Sequence, residues 1–174
     1  MQAHPTILCP VDFSAASAGS LRNAAAIAEH FDGRVVALTV EDPMLTEAVD
    51  LGTGIDWRPE DCEAELEQFV QHIFGGESPI LERMDYGVAV GKPAAEILRA
   101  ARTRPCDLIV ISTHGLTGIR KLFFGATTER GLRGTTVPVL VTPAHDPGPI
   151  HLKGAKRVLG RMVVPGDLSA AALH

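Results

Sequence analysis

Leu108-Ile109-Val110-Ile111-Ser112-Thr113-His114-Gly115 starts as an apolar run and ends in small and polar residues. Leu108 to Ile111 reads as a short buried strand. Nine residues separate Gly115 from Gly125, and Ala126-Thr127-Thr128-Glu129 follows, where a helix is predicted to open at Thr127 or Thr128. A strand that runs into glycines and then a helix start is the outline of an anion site. Glycine lets backbone N–H groups approach a phosphate, and a helix start offers unpaired donors at the positive end of its dipole. On spacing alone an ordinary loop with turn glycines fits equally well.

The flanking sequence narrows the choice. Upstream, Thr6 to Val11 reads as a first strand, with Pro10 at its end where a missing N–H does little harm. Ser14 is a good N-cap for a helix over Ala15 to Phe31, with Leu21, Ala24, Ala25 and Ala28 at helical spacing, and Asp32-Gly33 closes it. Arg34 to Val40 is a continuous apolar, β-branched strand. Glu41 to Pro59 has no clean period and reads as a connection, with a short helical turn near Met44 to Val49. Glu60 to Phe74 is amphipathic through Leu66, Phe69, Val70 and Ile73, and Gly75-Gly76 stops it. Ile80 to Val88 alternates and predicts a third strand. Gly91-Lys92-Pro93 opens a helix whose Ile97, Leu98 and Ala101 face the core, and Pro105-Cys106-Asp107 leads into the fourth strand. A fifth strand is predicted over Val137 to Thr142. Strands alternating with helices argue an α/β fold, a doubly wound parallel sheet with helices on both faces. Right-handed crossovers leave few topologies, and the strand order stays open.

Ser112-x2-Gly115-x9-Gly125-Ala126 resembles the nucleotide loop of the universal stress protein family, G-x2-G-x9-G-[ST]. Ile7-Leu8-Cys9-Pro10-Val11-Asp12-Phe13-Ser14 and Val137-Pro138-Val139-Leu140-Val141 carry the resemblance to both ends of the region from Pro5 to Pro143. It implies a five-stranded sheet in the order 3-2-1-4-5, with the first and fourth strands side by side at the switch point. In such sheets ligands lie outside the carboxyl ends of the strands at that point. The ends at Asp12, at Val40-Glu41 and at Ser112 to Gly115 would then line one crevice.

By the same resemblance Pro10, Val11, Asp12, Val40, Ile111, Ser112, Gly115, Gly125, Ala126, Thr127 and Thr128 match nucleotide-contacting positions. The implied ligand is ATP, ADP or AMP, with Mg2+ as an option. Asp12 should face ribose or base, and beside a polyphosphate it would need a cation between. Val40 offers backbone groups to an adenine edge. The bland readings stand beside these: Asp12 as a cap of the first helix, Arg120 and Lys121 as solvated loop charges, His114 as a loop hydrogen-bonder. Two positions depart from the pattern. Ser112 replaces a glycine, which costs on the order of 1 kcal/mol if its φ is positive and little otherwise. Ala126 replaces Ser or Thr and removes a hydroxyl, and Gly131 and Gly134 weaken the helix that follows. The family implies at most slow hydrolysis, occupancy acting as the signal, and a homodimer through the fifth strand. An interaction module without nucleotide binding is the alternative. A nucleotidyl-transfer or hydrolase-like enzyme would need acid and base residues that no motif places.

Composition excludes other classes. A chain of 174 residues with 45% apolar content supports one domain with a real core. A net charge of −5 argues against nucleic-acid binding. No run approaches a membrane span, and Met1 to Pro5 lacks the features of a secretory signal, so a cytoplasmic location is expected. Cys9, Cys62 and Cys106 form no metal pattern and read as reduced thiols. After residue 146 the composition changes. Residues 147–160 read as a linker rich in Pro and Gly. Residues 161–174 hold Met162-Val163-Val164-Pro165-Gly166-Asp167-Leu168-Ser169-Ala170-Ala171, in which Pro, Asp, Ser, Ala and Ala recur at a constant offset of 155 from Ile7 to Ala16. This is the start of a second copy of the domain or a strand that pairs with a sheet edge.

Overall fold

The computed structural model describes residues 4–42, 59–112 and 135–143. Its elements are β1 (Thr6–Pro10), α1 (Ala15–His30), β2 (Arg34–Glu41), α2 (Pro59–Phe74), a 3-10 turn (Pro79–Arg83), β3 (Met84–Val90), α3 (Pro93–Thr103), β4 (Leu108–Ser112) and β5 (Val139–Thr142). The strands form one parallel sheet in the order β3-β2-β1-β4-β5, as the family resemblance implied. The helical turn expected near Met44 to Val49, the helix expected from Thr127, the linker and the tail lie outside the described residues.

Strand alternation sorts the core onto two faces. Ile7, Cys9, Val11, Val35, Ala37 and Val110 point to one face, where Leu21, Ala24 and Ala28 of α1 and Leu66 and Val70 of α2 cover them. Leu8, Val36, Leu38, Val40, Ile109 and Ile111 point to the other, against Ile97, Ala100 and Ala101 of α3. Such two-sided burial is why β1, β2 and β4 read as near-continuous apolar runs. Helices α1 and α2 serve the crossovers from β1 through β2 to β3, and α3 returns on the opposite face to β4. A right-handed chain that reverses direction in the sheet must change faces in this way.

Helix α1 is ended by a Schellman turn. Asp32 is left-handed at φ 54°, and the Gly33 N–H donates to the Ala28 carbonyl at 2.7 Å. A side chain at Gly33 would bring its Cβ to 2.3 Å from the Pro5 carbonyl, so this turn also sets where β1 begins beside β2.

Two strands start later than the sequence predicts. Residues 79–83 form a 3-10 turn rather than the first half of β3, with the Leu81 N–H donating to the Ser78 carbonyl at 3.0 Å. Pro79 opens that turn, where its fixed φ suits a helical start. β5 begins at Val139 rather than Val137. Pro138 has no N–H for a ladder, and it contributes only its carbonyl, which accepts the Ile109 N–H at 2.9 Å.

Candidate functional site

Between β1 and β4 the sheet is pinned at one end. The Asp107 N–H donates to the Thr6 carbonyl and the Thr6 N–H donates to Asp107 Oδ2, both at 2.9 Å. The β1–β4 ladder then covers Ile7 with Leu108 and Leu8 with Ile109. Farther along, β1 follows β2 as far as Pro10 beside Leu38, and the Val11 N–H donates to the Leu38 carbonyl at 2.8 Å. β4 follows β5 as far as Ser112 beside Thr142. The carboxyl ends of β1 and β4 therefore flank the switch point, each held by its outer neighbour.

Six of the residues singled out from sequence lie on this edge. Pro10 ends β1, and Val11 and Asp12 follow it, with Val11 fully buried and Asp12 4% exposed. Val40 is buried near the end of β2. Ile111 and Ser112 end β4, and Ser112 is 5% exposed. Gly115, Gly125, Ala126, Thr127 and Thr128 lie outside the described residues, as do His114, Arg120 and Lys121. β4 runs extended through Ser112, and among the described residues the non-glycine positions of positive φ are His4, Phe13 and Asp32. Serine is accommodated there without left-handed backbone.

Asp12 is held by the turn that follows it. Its Oδ1 accepts the Ser14 N–H at 3.1 Å and the Ser14 hydroxyl at 2.5 Å. Ser14 is the N-cap of α1, and its Oγ accepts the Ser17 N–H at 3.0 Å. The carboxylate thus orients the capping residue rather than capping the helix itself. A buried carboxylate bonded by two donors is fixed in direction.

The sequence reading missed a polar seam behind this edge. Ser20 Oγ and Thr142 Oγ1 lie 2.7 Å apart, where either can donate, and Thr142 Oγ1 donates to the Ile111 carbonyl at 3.3 Å. The seam ties α1 to β5 and β4 one residue before Ser112. The spacing of Ser17, Ser20 and Asn23 in an alanine-rich helix was its only trace in the sequence.

Burial pushes the Cys9 thiol well above its ordinary range and raises Cys106 as well, so neither is a ready thiolate. Cys62 is also buried, and its thiol donates to Glu41 Oε1 at 3.7 Å. At the opposite end of the sheet Arg34 pairs in two hydrogen bonds with Asp85, and Arg83 and His4 pair with Asp32. Among the described residues no cluster of His, Cys, Asp and Glu is arranged to hold a metal, and no helix is long and apolar enough to cross a membrane.

The model of the universal stress protein family matches residues 4–143, a span that holds every described element. The chain belongs to the universal stress protein family. A curated member, universal stress protein MJ0531 of Methanocaldococcus jannaschii, is 31% identical over 141 residues, covering 78% of this chain and 79% of that one. Among solved structures, a universal stress protein in complex with cAMP superposes with a TM-score of 0.56 at 17% identity, over 83% of this chain and 100% of that one. The universal stress protein from Archaeoglobus fulgidus in complex with dAMP gives a TM-score of 0.51 at 17% identity, over 81% and 98%. At that identity these likenesses establish the shared fold of the family.

Proposed function

We propose that this family member binds an adenine nucleotide at the carboxyl edge between β1 and β4 and that occupancy, rather than turnover, is its signal. The observation that carries the reading is the divergence of β1 and β4 after Leu8 and Ile109, which sets Asp12 and Ser112 on either side of the switch point. Family structures that hold cAMP and dAMP support the ligand class. In this reading Asp12 and Val40 serve the ribose and adenine, and Pro10, Val11 and Ile111 form the floor. Ser112, Gly115, Gly125, Ala126, Thr127 and Thr128 serve the phosphates. Only if Asp12 faced the polyphosphate instead would a magnesium ion be needed between the two, held by carboxylate and phosphate oxygens.

Isothermal titration of the whole chain with ATP, ADP, AMP and cAMP tests the proposal. Saturable binding of one nucleotide per chain is expected. Gly115→Val and Gly125→Val should abolish it, because a β-branched side chain blocks amide approach. Ala126→Ser should tighten ATP binding several-fold by restoring a hydroxyl. Asp12→Asn keeps an oxygen for the Ser14 donors but replaces the other carboxylate oxygen with an NH2 group. It should fold like the parent and bind about tenfold more weakly. Glycine variants that bind as well as the parent would exclude the phosphate-loop assignment. A parent that shows no saturable heat with any of the four would favour an interaction module instead.

A further inference from the structure

Phe13, between Asp12 and Ser14, has a φ of 60°. Left-handed backbone is uncommon for any residue with a Cβ and is an outlier for a bulky one. Such a conformation persists only where its surroundings over-determine it. Here the ring packs against the core and meets Phe69 of α2 edge-on, with centroids 5.4 Å apart and planes at 78°. The same turn carries the hydrogen bonds from the Ser14 N–H and hydroxyl to Asp12 Oδ1, and the Ser14 cap on the Ser17 N–H. Relaxing Phe13 to a negative φ rotates the peptide planes on both sides of it. Asp12 and Ser14 would then leave the geometry that joins them.

We propose that Phe13 is a positioning residue: its ring, wedged against Phe69, holds the β1–α1 turn in the left-handed shape that aims Asp12 at the ligand. α2 is thereby coupled to the site without touching the nucleotide. The proposal takes its ligand from the adenine-nucleotide reading.

The test compares Phe13→Ala with Phe13→Gly. Both lose the ring, but alanine keeps the penalty of the left-handed backbone and glycine does not. Where a side chain only packs, alanine serves at least as well as glycine. Where it holds a strained turn, glycine should outperform alanine. The expected result is ATP affinity at least about fivefold tighter in Phe13→Gly than in Phe13→Ala, with both weaker than the parent. Phe69→Ala should weaken binding as well, while far-ultraviolet circular dichroism shows a folded chain. Amide hydrogen exchange of Ser14 and Ser17, read without ligand, should follow the same order: parent slowest, then Phe13→Gly, then Phe13→Ala. Exchange in that order supports the positioning role even if the parent binds no nucleotide, so the two readings fail separately. Alanine that protects these amides as well as glycine, or better, would overturn the proposal.

Discussion

Thr142 and Ser20 illustrate how much a buried hydroxyl can decide. Thr142→Val keeps the shape but removes the donor to the Ile111 carbonyl and the partner of Ser20, whose remaining bond is to the Ala16 carbonyl at 3.3 Å. The expected cost is about 1–2 kcal/mol in urea unfolding. Ser20→Ala combined with Thr142→Val should cost less than the sum of the two single changes, because the double variant leaves no buried hydroxyl in the seam. Additive losses would mean that the two hydroxyls act separately. Asp12 and Ser14 were legible in the sequence because a carboxylate and a capping serine after an apolar run have recognisable local chemistry. Phe13 was not, since phenylalanine is no turn former and the ring it packs against, Phe69, lies 56 positions away on another element. The Ser20–Thr142 bond was hidden for a similar reason: its partners stand 122 residues apart and meet only once β5 is placed.

Elements were legible where hydrophobic period and end signals agreed. α1 has its serine cap and its Asp-Gly stop, and β1, β2 and β4 are apolar on both faces. The signals conflicted over residues 79–83, where Ile80 continues the apolar face of Met84, Tyr86 and Val88 although Glu82 interrupts it, and Pro79 suits a helical start. Over five residues an alternating pattern cannot separate the two, and the proline decided the outcome. β2 and β3 carry a cross-strand ion pair at their amino ends. The Arg34 guanidinium beside Asp85 holds its carboxyl below the usual range. A depressed carboxylate stabilises the fold above its unfolded value of about 3.9 and loses that contribution as pH falls through the folded value. Both side chains are about half-exposed, so water screens the pair and the gain at pH 7 should stay below about 1 kcal/mol. Urea unfolding of the parent and Asp85→Asn should differ slightly at pH 7 and converge as the pH falls below the folded value of Asp85. A gap that widens in acid would contradict the assignment. α2 docks through Leu66 and Val70, both fully buried, so Leu66→Ala should cost about 2–5 kcal/mol.

Among the described residues the sheet ends on β5, and Val141 on that edge is 51% exposed. An apolar edge strand invites pairing with another chain. Antiparallel pairing of two β5 strands into a two-fold homodimer is the arrangement proposed here. The tail bears on it. Residues 161–174 repeat the Pro, Asp, Ser, Ala and Ala of β1 and the start of α1, and in the domain β1 is buried on both faces. Full-length protein should sediment as a dimer, and deleting residues 155–174 should weaken the dimer without unfolding the domain. A chain that stays monomeric until the tail is removed would mean that the tail covers β5 in its own subunit. A crystal structure of the full chain grown with ATP would show whether a nucleotide sits at the switch point. Adenine and ribose should lie beside Val40 and Asp12, with the phosphates beyond Ser112. ATP bound elsewhere on the chain, or a crevice between β1 and β4 left empty at saturating ATP, would contradict the account.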